Sequence, residues 1–384
     1  MMLRAMLALT GALATLPALA GTNDVLIGMD QKITYDANGA QQGPPGNDSV
    51  MIMDISNPTR PRVRGTLPLM NSLLGPPTNL QITHDGKLGL VANSVVQNQD
   101  GSAWKPSPDN KVHVIDLTAD PPKLADTVTV GQQPSGLAIS RKGDLALTAN
   151  RAGKSVSVLG IANGKVTVLG EVPMEQEAAA VVITPDGKRA FVAMNLANRI
   201  GVLTIDGQKV TYDKALDIPV AFNPYNIDIT PDGRHVIASC TGAGKNNADA
   251  MVVIEATGAH PHVVSIASPG VGPEGFAIAP NGKSLATALL LGTGAKDSDW
   301  FKTKAGELVV MSIGPGGALT VTGRAPLGRL PEGIVYSQDG EYLFVGDYSD
   351  KTLRIFRLNN GKPTQIAPPM ILPGQPASMR TVVR

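Results

Sequence analysis

The chain has 384 residues, with 33 Lys plus Arg against 32 Asp plus Glu. That balance leaves no basic stripe of the kind that supplies most nucleic-acid affinity, so nucleic acid is excluded as a partner. Charged residues make up 17% of the chain, below the usual share of about 25%, while 42 glycines and 30 prolines point to a turn-rich β protein.

Residues 1–20 carry Arg4, an apolar run over residues 5–16 and the small-residue ending Pro17-Ala18-Leu19-Ala20, the pattern of a secretory leader. The apolar run is too short to span a bilayer, and no later stretch approaches the length that a membrane helix needs. A periplasmic or secreted protein is expected, with one mature domain over residues 21–384 and no membrane span. Residues 25–30, 49–55 and 62–69 then read as the second, third and fourth strands of a four-stranded unit. No first strand precedes them.

From there the chain repeats. Turn glycines stand at Gly86, Gly143, Gly187, Gly233, Gly282 and Gly340, spaced by 44 to 58 residues on subtraction. Nine residues before them lie Pro77, Pro134, Pro224, Pro273 and Pro331, with Ala178 in the odd slot. The third and fifth positions after that leading residue are apolar in every copy, from Leu80 and Ile82 to Ile334 and Tyr336. That alternation is the mark of a strand with one face buried. A period near 50 residues carrying four short strands is the signature of a β-propeller. Length alone would suggest more than one domain, but the copies belong to one closed ring.

At the far end, residues 376–383 repeat the first-strand pattern, led by Pro376. This strand supplies what the N-terminal unit lacks. The expected fold is therefore all-β: a seven-bladed β-propeller of four-stranded blades, closed by the C-terminal strand joining the N-terminal blade. Ile183-Thr184-Pro185-Asp186-Gly187-Lys188-Arg189, running on to Asn195, and residues 199–205 resemble the YVTN-type propeller repeat, as do residues 88–93 with 112–116. That resemblance covers nearly all of the mature chain. It implies a family that includes secreted binding proteins, surface-layer repeats, lactonase-like enzymes and propeller domains of periplasmic redox proteins, so it bears on fold more than on function.

The joins between first and second strands are uniformly tight. Between second and third strands lie insertions at residues 30–48, 94–110, 241–249 and 292–305, all opening on one end of the ring. Long loops on a rigid scaffold are where binding and catalysis concentrate. Both tryptophans, Trp104 and Trp300, fall in these insertions, as does Tyr35. They either pin their own loops or wall a pocket over the channel mouth.

The position after each leading residue projects at the channel mouth and holds Thr78, Ser135, Ala179, Tyr225, Glu274, Glu332 and Ala377. The next position adds Asn79 and Asn226, and the fourth adds Gln81, Asp228 and Arg380. Two readings follow. In the first, an exported binding or scaffold protein takes a protein partner or small ligand on the looped face, through Asn79, Trp104, Tyr225, Asn226, Asp228, Glu274, Trp300, Glu332 and Arg380. In the second, a lactonase-like hydrolase or isomerase uses Glu274 and Glu332, with Arg380 or a metal as electrophile. Asn79, Asn226, Glu274 and Glu332 are oxygen donors of the kind that suit calcium or magnesium. They could equally solvate a water-filled funnel. Of the five histidines, His84 and His113 read as structural, and His260 with His262 make two ligands without a third. Cys240 reads as a small buried hydrophobe. No Cys-x-x-Cys-His or Gly-x-Ser-x-Gly motif occurs, which sets aside covalent haem and a nucleophile elbow. A monomer is expected.

Overall fold

The structure is a computed structural model that describes residues 23–244 and 246–383; the leader expected at residues 1–20 lies outside them. Seven sheets surround a central channel. Blade 2 runs Leu80–Ile82, Leu88–Asp100, Ala103–Asp116 and Lys123–Thr129 from the channel outwards, and blade 3 runs Pro134–Ile139, Leu145–Asn150, Ser155–Ala162 and Lys165–Pro173. Blades 4 to 7 begin at the channel with Ala180–Ile183, Pro224–Ile229, Pro273–Ile278 and Pro331–Tyr336. Blade 1 is composite. Its inner strand is Gln375–Arg380, paired antiparallel with Asp24–Asp30, which continues through Ser49–Asp54 to Arg62–Leu67. Leu26 lies opposite Arg380 and Ile27 opposite Met379, so the ring closes as the repeat pattern predicts.

Each inner and middle strand is buried on both faces, because successive side chains point to opposite sides of the sheet and each side meets another blade. Blade 1 shows this well. Val25 and Ile27 pack with Phe344 and Val335 of blade 7, while Leu26, between them, packs with Leu80 and Val91 of blade 2. Outermost strands read polar by comparison, as in Lys123–Thr129, which is exposed along most of its length.

The leading proline is followed two residues on by glycine in blades 3, 6 and 7, and close approach explains it. An added Cβ would stand 2.5 Å from the Ala180 Cα at Gly136, 1.8 Å from the Glu332 carbonyl oxygen at Gly275, and 2.5 Å from the Met379 Cγ at Gly333. Neighbouring inner strands there touch backbone to backbone. Gly136 N donates to Ala179 O at 2.8 Å, and Leu137 N to Thr78 O at 2.9 Å.

The six turn glycines have φ between 68° and 75°, and each N–H donates to the carbonyl three residues back at 2.8–3.0 Å. This is a type I turn closed by a left-handed glycine. In five copies a Ser or Thr at the first turn position accepts the backbone N–H five residues on, as from Leu88 to Thr83 and from Arg189 to Thr184.

One insertion differs from expectation. Residues 94–110 are no loop: the second and third strands of blade 2 simply continue as a long hairpin, with Val95 opposite Pro108 and Gln99 opposite Trp104. Residues 30–48 contain a separate two-stranded hairpin, Ile33–Asp36 and Gly39–Gln42. Among the described residues no helix is long and apolar enough to cross a membrane.

Candidate active site at the looped mouth

The inserted segments clasp one another over the mouth. The 33–42 hairpin is rooted by Lys32, whose side chain is fully buried between Asp30, at 3.3 Å, and Asp48, and also donates to Asn71 O. Its first strand is held by Ile33 O, which accepts from Tyr348 Oη at 2.7 Å and Gln375 Nε2 at 3.0 Å. Gln97 of the blade 2 hairpin donates to Gln42 at 2.7 Å, and Asp297 N donates to Ala37 O at 2.9 Å. Residues of the 33–42 hairpin, of 241–249 and of 290–301 line a bowl of about 1000 Å³.

The bowl reaches down to Glu274, while Glu332, in the equivalent place on the next blade, is 3% exposed. One oxygen of Glu332 is buried with no hydrogen-bond partner. Burial pushes Glu332 well above the usual carboxylate range, and the neighbouring charge of Glu274 adds to the shift. Glu274 is raised to about 7 by burial, partly offset by the Arg151 guanidinium. The phenols of Tyr35 and Tyr225 are pushed up first by burial and then by these same two carboxyls. Tyr35 stands edge-on to Tyr348, ring centroids 6.2 Å apart. Arg151 joins this group through Glu274 and Tyr225, its guanidinium carbon lying 5.7 Å from the Tyr225 ring centroid.

Arg151 is the residue that sequence reasoning missed, and it corrects the place given to Arg380. Arg380 pairs with Asp228 at 3.3 Å in the lower channel, a narrow space lined by the fourth positions of the inner strands, Gln81 among them. It faces neither glutamate. Arg151 directly follows the second strand of blade 3, Leu145–Asn150, and so sits at the looped end, reaching past blade 4, where the mouth position is only Ala179.

The amides are occupied within the fold. Asn226 Nδ2 donates to Glu274 O at 3.2 Å, while its Oδ1 accepts from Ile227 N at 2.8 Å and Thr78 Oγ1 at 3.4 Å. Asn79 Nδ2 donates to Ala92 O at 2.8 Å, leaving its buried Oδ1 unpaired. Among the described residues no group of three or more His, Cys, Asp or Glu side chains could hold a metal. Of the calcium or magnesium set, the Asn226 oxygen is occupied within the fold while Asn79 and Glu332 keep an unpaired oxygen each, and no step below uses a metal.

Neither tryptophan lines the bowl. Trp300 is 86% exposed and meets Phe301 edge to face at 5.5 Å, and it is Phe301 that forms the wall. Trp104 sits near the tip of the blade 2 hairpin. Cys240 is buried, its thiol pushed up to about 12 by burial and by Asp249. His84 Nδ1 lies 3.0 Å from Val383 O, His113 Nδ1 lies 3.0 Å from Thr127 Oγ1, and His260 and His262 are exposed.

A family model described as a lactonase, 7-bladed beta-propeller, matches residues 167–255. Among solved structures, a Bacteroides fragilis protein described as a candidate 6-phosphogluconolactonase is similar over 94% of this chain and 99% of its own, with TM-score 0.66 and 17% identity. The Pseudomonas aeruginosa periplasmic gluconolactonase PpgL gives TM-score 0.64 and 17% identity over 94% and 99%. Kuenenia stuttgartiensis hydrazine synthase gives 0.58 and 21% over 75% and 78%. A search of curated proteins finds no match. The chain is thus a lactonase-like seven-bladed propeller in fold, and at these identities the fold is what the likeness carries.

Proposed function

We propose that this protein is an exported lactonase-like hydrolase acting in the bowl, with Glu274 and Glu332 as its acid–base pair. The observation that carries the reading is the placement of two buried carboxyls at equivalent positions of adjacent inner strands: Glu274 lines the bowl and feels the Arg151 guanidinium, and Glu332, which feels the charge of Glu274, has an unpaired oxygen. Environments that separate the pKa values of two acids assign them different roles. Glu274, ionised first, takes a proton from water as the water oxygen bonds to the lactone carbonyl carbon. Glu332, still protonated, gives its proton to the ring oxygen as the acyl C–O bond breaks, leaving a hydroxy acid. Arg151 steadies the charge on Glu274. The leader pattern at residues 1–20 supports export to the periplasm or beyond, and the YVTN-type repeat and the single mature domain belong to the same reading.

The test is a panel of neutral and phosphorylated lactones assayed with the wild type and Glu274→Gln. The variant should lose about 10²–10⁴-fold in kcat/KM. Wild-type activity should rise as pH passes through about 7 and fall again as Glu332 ionises. Turnover of no lactone would overturn the hydrolase and leave the same face as a binding surface.

A further inference from the structure

The walls of the bowl differ in chemistry from its floor. Leu196 is 68% exposed and Phe222 is 59% exposed, yet both line the bowl. They are held on segments that are tied together. Asn198, at a left-handed φ of 54°, accepts from Val220 N through its carbonyl at 3.0 Å and from Asn223 N through its side chain at 2.9 Å. Phe301 and Leu290 face the bowl from blade 6. Isolated exposed apolar residues need no explanation, but several turned into one concavity mark a ligand surface.

The charges in the bowl point the same way. Lys296 is the one Lys or Arg among the described residues that line it, against Asp249, Glu274 and Asp299. A phosphate group needs guanidinium or ammonium partners or a nest of backbone N–H groups, and here it would meet a surplus of carboxyls. The volume of about 1000 Å³ is at the upper end of the roughly 300–1,000 Å³ that holds drug-sized ligands, more than a bare sugar lactone fills.

We propose that the bowl takes an uncharged lactone bearing an alkyl or aryl arm, the ring at the Glu274 floor and the arm along the Leu196 and Phe222 wall, and that it rejects phosphorylated sugar lactones. This ligand class rests on the hydrolase reading for its reacting group, while the apolar arm rests on the wall alone. Each buried CH₂ contributes about 0.8 kcal/mol. A five-carbon arm on a half-open wall should therefore raise kcat/KM at least tenfold.

The experiment compares δ-valerolactone, δ-decalactone, δ-gluconolactone and its 6-phosphate with the wild type and with the double variant Leu196→Ser and Phe222→Ser, whose folding is checked by its melting temperature. Expected are a decalactone to valerolactone ratio above ten that the double variant brings towards one, and a 6-phosphate slower than its neutral parent. A wild-type ratio at or below one, or a preferred 6-phosphate, overturns the proposal and leaves the hydrolase standing. If nothing is hydrolysed, the hydrolase falls and calorimetric titration scores the ligand class. Tighter binding of decalactone than valerolactone, weakened in the double variant, supports the apolar wall, and equal or absent binding overturns it.

Discussion

The two ends of the ring are built from the same repeats and behave oppositely. At one end, six turns share the same left-handed glycine and nearly the same hydrogen bonds, and the channel narrows to a space crossed by the Arg380–Asp228 pair. At the other end, the connections vary from a short turn at residues 151–154 to a separate hairpin, and there, among the described residues, a carboxyl, Glu332, is buried with an unpaired oxygen. Regularity here serves closure of the ring, and irregularity gathers chemistry. A buried acid without a partner costs stability, so its presence at only one end marks where the fold has been bent to another use.

The sharpest way to break the comparison is to destroy both ends at once. Deleting residues 378–384 removes the second half of the inner strand of blade 1, Gln375–Arg380, and leaves sheet edges unpaired, and no cooperative melt should remain. A truncated protein with an unchanged melting temperature and near-ultraviolet circular dichroism would refute closure by that strand.

Next in size is Lys32→Ala, which affects the looped end alone. It leaves the carboxyls of Asp30 and Asp48 buried without their cation, and breaking a buried pair costs about 3–5 kcal/mol. Urea unfolding should show that loss, and lactone turnover should fall with it because the hairpin carrying Tyr35 loses its root. A stability loss under about 1 kcal/mol would show that the hairpin is held from elsewhere.

The third test separates the ends by pH. Glu274 and Glu332 are raised in the folded state, so between the ordinary carboxyl value and the folded one the native state binds more protons than the unfolded state. Stability should then decline as pH rises from about 5 to about 8. Glu332→Gln should flatten that decline and leave the protein more stable than the wild type at pH 8. A variant no more stable than the wild type at pH 8 would mean that the acids are relaxed by water or by each other.

The smallest effects compare one turn with two ornaments. Asp186 accepts from Thr184 Oγ1 at 2.6 Å and Lys188 N at 3.0 Å, so Asp186→Ala should cost about 1 kcal/mol. The double change Trp104→Ala with Trp300→Ala should stay within about 0.5 kcal/mol, as surface substitutions do. Thermal melts that reverse this order would show the tryptophans pinning structure.

Most of the fold was legible because each inner strand repeats large apolar residues at its third and fifth positions ahead of a turn glycine, and because Pro376 marks the missing strand; that the other face is buried too, against the next blade, was hidden by the small or polar residues placed there. The glutamates were legible through pseudo-symmetry, since Glu274 and Glu332 each follow a leading proline. Depth was harder to read. Arg380 lies three residues further along its strand, roughly 10 Å at the usual rise, which takes it into the lower channel. Arg151 belongs to a different strand of its blade, and only the end of the ring on which it sits could have flagged it. The 94–110 hairpin carries little apolar alternation because beyond Gln97 both faces are largely open to solvent, so it reads as a loop.

The pairing of Leu26 with Arg380 spans 354 residues, 380 minus 26, and this has a kinetic consequence. Bringing such distant segments together costs roughly 5 kcal/mol of chain entropy, from the logarithmic dependence on loop length, and contacts so remote in sequence form slowly. The completed ring gains in return. No blade can peel away until that seam opens, so the barrier to escape is concentrated in one strand. Persistence of the native protein, for instance against proteolysis, should then be governed by how often the seam parts, a matter of rate more than of equilibrium.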